Sequence, residues 1–382
     1  MIGIVAILLI ILLGDAFLGN INEINQKRKR YCIAVFGAML LFAGLRGPSV
    51  AIDTASRYSM FSTVCKMGFL DAFEYMRSLR NGSEIGYSFF ISLISRILST
   101  PYLLNLTLDL FVIITFAYFF YHYAEDLKIA CLMYFSFAFS SSLNITRQYV
   151  AAAFFIWAVI CIIRGKKIRS MLLIAIATSF HTSAVFLFAI YLLYLVNFRV
   201  TKKLLVLTTG ISVAFFYFFD IVSFAVMQRF FPQYWWYLSG DWAVGNQEFS
   251  LLWLVIYSIM GIILFFELDD DASIDMQTET GYLSRYNQKQ MVFGLATICF
   301  VIYALIAMLR SKVWILSRLG IYVGFGYYLS AGNMFNRLNI VNYRSRRLIR
   351  AIFILLLSIW CIMMYRTDGN RLFPYVFIWD SF

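Results

Sequence analysis

Long apolar runs alternate with short polar connectors along the whole chain. The runs fall near 2–19, 31–45, 85–99, 102–121, 127–143, 148–163, 170–197, 204–226, 250–266, 291–309, 313–331 and 350–365. A membrane-spanning helix needs about 20 apolar residues, with a range of roughly 17–25. The pattern predicts an all-α polytopic integral membrane protein of about 10–12 transmembrane helices. A transmembrane β-barrel needs short alternating segments, and these runs are continuous. The opening stretch "MIGIVAILLIILLGDAFLG" has no basic n-region and no small-residue cleavage site. It is expected as a retained first span.

Three basic clusters, "QKRKR" (26–30), "RGKKIR" (164–169) and "YRSRRLIR" (343–350), are expected in the cytoplasm. The number of crossings between any two of them must then be even. Five runs separate the first cluster from the second, and five more separate the second from the third. One run in each interval therefore does not simply cross. The run 85–99 is short, about 22 Å as a helix, and is expected to be interfacial or re-entrant. The run 170–197 is too long for one span and too short for two, and "IATSFHTSA" interrupts it. A broken pair of half-helices fits; a single tilted helix is the alternative. Irregular backbone at membrane depth is tolerated only against protein or a water-filled cavity. This bookkeeping puts 46–84, 144–147, 227–249, 310–318 and the tail 366–382 outside. It puts 20–30, the acidic loop 267–290 and 332–349 inside. The chain 1–382 reads as one integral membrane domain with extracytoplasmic loops at about 46–84 and 227–249.

Composition agrees: 62% of residues are hydrophobic and 14% charged, against about 25% charged in soluble domains. The net charge of +12 is accounted for by cytoplasmic anchoring, so no nucleic-acid partner is expected. Six scattered cysteines without a Cys-x-x-Cys pattern support neither a disulfide framework nor a zinc site. With two histidines in the chain, no metal and no cofactor are expected. Asn81, Asn105 and Asn144 begin glycosylation-type sequons, which matter only in a eukaryotic secretory pathway. The stretch "FPQYWWYLSGDWAVG" either lines a sugar site or belongs to an interfacial aromatic belt.

Charge on the outer side opposes the positive-inside bias. In "SSSLNITRQYVAAAFF", Arg147 has no Lys or Arg within fifteen residues on either side. Arg46, Arg57, Arg310 and Arg318 also fall outside. An ionisable residue bordering a span is a functional candidate. The preference for Arg points to phosphate oxygens, which a guanidinium grips at two points. Contacts to lipid headgroups are the bland alternative.

Four stretches, "AGLRGPSVAIDTASRY" (43–58), "SEIGYSFF" (83–90), "NITRQYVAAAFFIWA" (144–158) and "LIAIATSFHTSAVFLFAIYLL" (173–193), resemble in order and spacing the motifs of the Wzy/EpsG-type polysaccharide polymerases. The second half is similar in outline, through "SRLGIYVGFGYY" with Arg318 and "FPY" (373–375). Three positions depart from the family pattern. Gly47 stands where an aromatic is usual and Ala51 where a Gly is usual, and Tyr58 falls one residue late.

The resemblance implies a GT-C-like membrane glycosyltransferase of the bacterial inner membrane. Such an enzyme joins oligosaccharide repeat units carried on undecaprenyl diphosphate into O-antigen, capsule or exopolysaccharide. Membrane lipid and a chain-length regulator are the further partners it implies. Arg46, Arg147 and Arg318 are the expected diphosphate-binding residues, stabilising charge on the departing bridging oxygen without a metal. Asp53, Glu84 and His181 are the candidates for the base that receives the acceptor proton. Asp53 can instead orient Arg46 or Arg57, and Glu84 can cap the helix that follows it. Arg57, Tyr58, Gln148 and Tyr375 are the expected substrate contacts. An O-antigen ligase and a flippase or transporter of lipid-linked sugars are the rival readings.

Overall fold

The computed structural model describes residues 1–17, 23–196, 200–230, 251–268, 285–309, 317–337 and 342–381. Among the described residues every regular element is a helix, and Arg46 and Phe377 form an isolated β-bridge. The protein is an all-α polytopic membrane protein. Each apolar run seen in the sequence places a helix. Three of these, Pro101–Tyr123, Thr146–Ile163 and Tyr343–Thr367, are long and apolar enough to cross a membrane by themselves.

The chain divides into two compact units, Met1–Tyr191 with Leu357–Phe382, and Leu192–Leu356. The first unit opens with α1 (Ile2–Phe17) and α2 (Ile24–Gly44). The stretch that follows, read from the sequence as a loop, folds into α3 (Thr54–Val64) and α4 (Phe69–Ser78). Then come α5 (Ile85–Ile94) and α6 (Pro101–Tyr123). Pro101 opens α6, where a missing N–H costs nothing. The next segment runs from α7 (Leu127–Tyr134) through a π-helical turn (Phe135–Phe139) into α8 (Ser140–Asn144). Asp126 caps it by accepting from the Ile129 amide at 3.2 Å. The widened turn is supported from the C-terminal helix, where the Tyr365 hydroxyl donates to the Phe135 carbonyl at 3.0 Å.

A single residue, Ile145, separates α8 from α9 (Thr146–Ile163). At the far end of α9, Gly165 takes φ +69, and the Lys166 amide closes on the Cys161 carbonyl at 2.8 Å. That is the helix stop a glycine makes possible, and it turns the chain into α10 (Lys167–Phe180), which packs on α9. The helix then breaks at His181, whose backbone is extended (φ −151, ψ 123). A 3-10 turn (Thr182–Val185) leads into α11 (Phe186–Leu195). The run 170–197 is thus two half-helices with His181 at the break, as its polar interruption predicts. The run 85–99 yields only ten helical residues, too few to cross.

The second unit contains α12 (Lys202–Phe230), α13 (Leu251–Glu267), α14 (Arg285–Leu309) and α15 (Ser317–Arg337). The last helix, α16 (Tyr343–Thr367), begins there and ends in the first unit. Helices α14 and α15 meet at Gly326, where an added Cβ would lie 2.2 Å from Cys299 Cβ. Small residues admit such close backbone approach. Tyr257 stacks on Phe300 at 5.1 Å and Tyr303 on Tyr327 at 4.4 Å beside this contact. The aromatic stretch 231–245, most of the acidic loop and Arg310 lie outside the described residues.

Candidate active site

The site is built on the turn between α4 and α5, "RNGSE" (80–84). Asn81 and Gly82 take φ +50 and +75, and the Gly82 amide closes on the Arg77 carbonyl at 2.9 Å. Asn and Gly are the residues that tolerate this left-handed geometry. Glu84 takes it too, at φ +56, and for a glutamate that is strained. Its side chain does not cap α5. The expected capping role is therefore replaced by another: the carboxylate turns inward, 6% exposed, to meet Arg147 and His181 from two other elements.

Arg147 sits in the first turn of α9, and its Nη1 is in contact with Oε2 of Glu84. The guanidinium lies over the Tyr87 ring, 5.4 Å from its centroid. A cation at a helix N-terminus opposes the helix dipole. Its position there is held by the carboxylate and the ring, and 29% of the side chain remains open. His181, from the break after α10, places Nδ1 3.0 Å from Oε1 of Glu84. Arg80 Nε lies 3.8 Å from Oε2. Burial lowers the Arg80 pKa from its ordinary value, and the neighbouring Arg147 charge lowers it further. Two guanidinium groups and an imidazole thus share one carboxylate, which leaves an excess of positive charge.

Gly86 makes this convergence possible. A Cβ there would lie 2.1 Å from Ser179 Oγ and 2.8 Å from Ser179 Cβ. The bare glycine lets α5 press against α10 two residues before His181. Phe180 packs on Tyr87 and Phe90 from the same helix end, with centroids at 6.2 and 5.7 Å.

The turn before Arg147 is fixed from the first motif. Arg57 is buried and donates to the Asn144 carbonyl at 2.7 Å, the Leu143 carbonyl at 2.9 Å and Asn105 Oδ1 at 3.0 Å. Those carbonyls are the open C-terminal end of α8, which a cation stabilises. Burial lowers the Arg57 pKa, and Arg46 lowers it further. Asn144 accepts from the Asp53 amide at 2.9 Å and donates to Asn370 Oδ1 at 3.2 Å. Arg57 is thus committed to holding the break between α8 and α9.

The structure corrects one expected pairing. Arg46 does not pair with Asp53; its Nη1 is in contact with Asp109 of α6, and both side chains are 2% exposed or less. The same Nη1 donates to the Ala43 carbonyl at 2.6 Å. Nor does Asp53 pair with Arg57, which donates to the partners above and to Thr54 Oγ1 at 3.4 Å; Asp53 is exposed at the start of α3. The tail folds onto the first motif: Gly47 donates to Val376 at 2.8 Å, Ile378 to Leu45 at 3.0 Å and Ala51 to Arg371 at 2.9 Å. The Tyr375 hydroxyl donates to the Phe42 carbonyl at 2.6 Å, and burial pushes its pKa up to about 12. Gln148 is buried beside Arg147 in sequence, and Tyr58 is half-buried. Arg318 belongs to the second unit, in the first turn of α15.

Of the expected site residues, the structure brings Glu84, Arg147 and His181 together. Sequence reasoning missed Asp109 and Arg80. A carboxylate inside an apolar run was a readable signal for Asp109. Nothing in the polar loop marked Arg80 apart from Arg77 beside it. Among the described residues, no three His, Cys, Asp or Glu side chains gather at metal-ligand spacing.

Neither a curated protein nor a solved structure matches the chain. A family model, described as the EpsG family, matches residues 29–377 and so spans both units and every residue of the cluster around Glu84; the chain belongs to the EpsG family.

Proposed function

We propose that the protein is a polysaccharide polymerase of glycosyltransferase type. It joins oligosaccharide repeat units carried on undecaprenyl diphosphate at the outer face of a bacterial inner membrane. The product is O-antigen, capsule or exopolysaccharide. Family membership supports the polymerase type of function. The observation that carries the residue roles is the meeting of Glu84, Arg147 and His181, which come from three motifs far apart in sequence.

The chemistry follows from those groups. A diphosphate leaves readily once charge on the bridging oxygen is stabilised. Arg147 supplies that stabilisation with a planar fork, a permanent charge and an open face. The acceptor hydroxyl needs a base. Glu84 has both oxygens engaged, so its part is to orient. Nδ1 of His181 lies 3.0 Å from Oε1 of Glu84; in this reading it donates to that oxygen when the acceptor is bound, which leaves Nε2 as the basic nitrogen, as a carboxylate fixes a histidine tautomer. Attack by the activated hydroxyl displaces the diphosphate in one step, with inversion and without a metal.

The test is to incubate the purified protein with its lipid-linked repeat unit and resolve the products by length. A ladder of multiples, insensitive to EDTA, is expected. Unextended single units would contradict the polymerase reading. Transfer only to a lipid A core would identify a ligase, and movement across the bilayer without bond formation a flippase.

A further inference from the structure

Arg80 has no task in the account above. Its Nε is buried and makes no hydrogen bond among the described residues. Its carboxylate neighbour, Oε2 of Glu84 at 3.8 Å, is beyond hydrogen-bond reach. Arg147 already occupies that same oxygen. A buried donor left unmatched is costly, and native proteins rarely keep one without a reason. The Tyr87 hydroxyl, beneath Arg147, is likewise buried without a hydrogen-bond partner among the described residues. Two guanidinium groups therefore face one carboxylate oxygen that satisfies only the first of them.

The rest of the site favours an anion there. Arg80 and Arg147 keep 27% and 29% of their side chains open, so a ligand reaches both. The N-terminus of α9 carries no side-chain cap and adds its positive potential at Arg147. Glu84 is held in this position by a strained backbone, at φ +56. A single carboxylate leaves the two guanidinium groups under-neutralised.

We infer that Arg80 and Arg147 form a two-guanidinium clamp for the diphosphate of the ligand, and that Oε2 of Glu84 holds the place of one diphosphate oxygen when the clamp is empty. The inference rests on the proposed lipid-diphosphate donor and adds Arg80 as its second contact. A diphosphate offers each guanidinium its own phosphate group for a two-point contact. Arg147 exchanges a carboxylate for a phosphate, and Arg80 gains the hydrogen bond it lacks.

The experiment uses the purified full-length protein in detergent, with inorganic diphosphate and inorganic phosphate as probes and calorimetric titration as the readout. Wild type is expected to prefer diphosphate. Arg80→Ala should weaken diphosphate about tenfold and bring it near phosphate, the loss of one charge-assisted contact. Arg80→Lys keeps the charge but not Nε, and should lose most of the preference. Glu84→Gln should tighten both probes, because it removes the competing negative charge. Arg77→Ala, an exposed neighbour stacked on Phe73, should change nothing. Equal affinity of wild type for the two probes, diphosphate affinity unchanged in Arg80→Ala and Arg80→Lys, or weaker binding in Glu84→Gln would overturn the clamp. Thermal unfolding without probe identifies a misfolded Arg80→Ala, in which case Arg80→Lys decides. Binding needs no turnover. An absent product ladder with these shifts intact therefore rejects the polymerase and keeps the clamp; a ladder without them does the reverse.

Discussion

Arg46–Asp109 and Arg147–Glu84 use the same two functional groups in direct contact, and both lie within the first unit. Their surroundings differ. The first pair is almost sealed, with side chains 2% and 1% exposed. The second leaves Arg147 29% open and adds Arg80 and His181 to the same carboxylate. A sealed pair is closed to a ligand and ties the stretch just after α2 to α6. An open pair with surplus positive charge is what a phosphate-bearing substrate requires. The motif arginine that sequence resemblance treats as equal to Arg147 is, by burial, a different kind of residue.

The comparison breaks first at Asp109. Asp109→Ala leaves Arg46 buried and uncompensated, which is expected to cost about 3–5 kcal/mol. Thermal unfolding in detergent should show the loss, and Arg46→Met with Asp109→Leu should restore most of it, since apolar replacement of a buried pair is often neutral. A stable Asp109→Ala protein would remove the scaffold role. The open pair should respond in rate instead. Arg147→Ala is expected to lose about 3–4 kcal/mol of transition-state stabilisation, or roughly 10²–10³ in polymerisation rate, as for loss of one oxyanion donor. Its unfolding temperature should stay close to wild type.

Smaller effects sharpen the same contrast. Gly86→Ala drives a methyl group into Ser179 and pushes α5 from α10, at a cost of about 1–3 kcal/mol. Activity should fall more than stability, because His181 moves away from Glu84. Adding Ser179→Gly should recover part of the activity; no recovery would show that the helix contact does not position His181. The smallest effect concerns Ala51, which takes φ +69 where the family usually has Gly. A left-handed alanine costs about 1–2 kcal/mol, against roughly 0.5–1 for the extra freedom of glycine when unfolded. Ala51→Gly should therefore raise stability by about 0.5–1 kcal/mol, seen as a modest rise in unfolding temperature, with no gain in rate.

The helices were legible because apolar length encodes them directly, and the break at His181 was legible because Thr, Ser and His interrupt a run of awkward length. Parity required one run of the first interval not to cross, and its short length singled out 85–99. Helix α3 was hidden in a mixed polar stretch with no strong period, and α4, though amphipathic, is only ten residues long and sits in the same polar stretch. The tail's pairing with Leu45, Gly47 and Ala51 depends on contacts more than three hundred residues apart, which no local pattern reports. Glu84, Arg147 and His181 were readable as candidates, since Glu84 and Arg147 are ionisable residues at the border of an apolar run and His181 is one at the break inside another. Which arginine is sealed and which is open was not readable. That depends on Asp109 facing Arg46 across α2 and α6, and on Gly86 admitting α10.

The most direct measurement places the two pairs side by side. Polymerisation rate per folded molecule is compared for Arg147→Lys and for the double variant Arg46→Met with Asp109→Leu, at matched amounts of folded protein. Arg147→Lys keeps the charge and loses the two-point grip, so its rate is expected to fall at least about tenfold. The double variant is expected to stay within about threefold of wild type, because its pair only supports the fold. Wild-type rate in Arg147→Lys, together with a collapsed rate in the folded double variant, would contradict the account by placing the chemistry at Arg46.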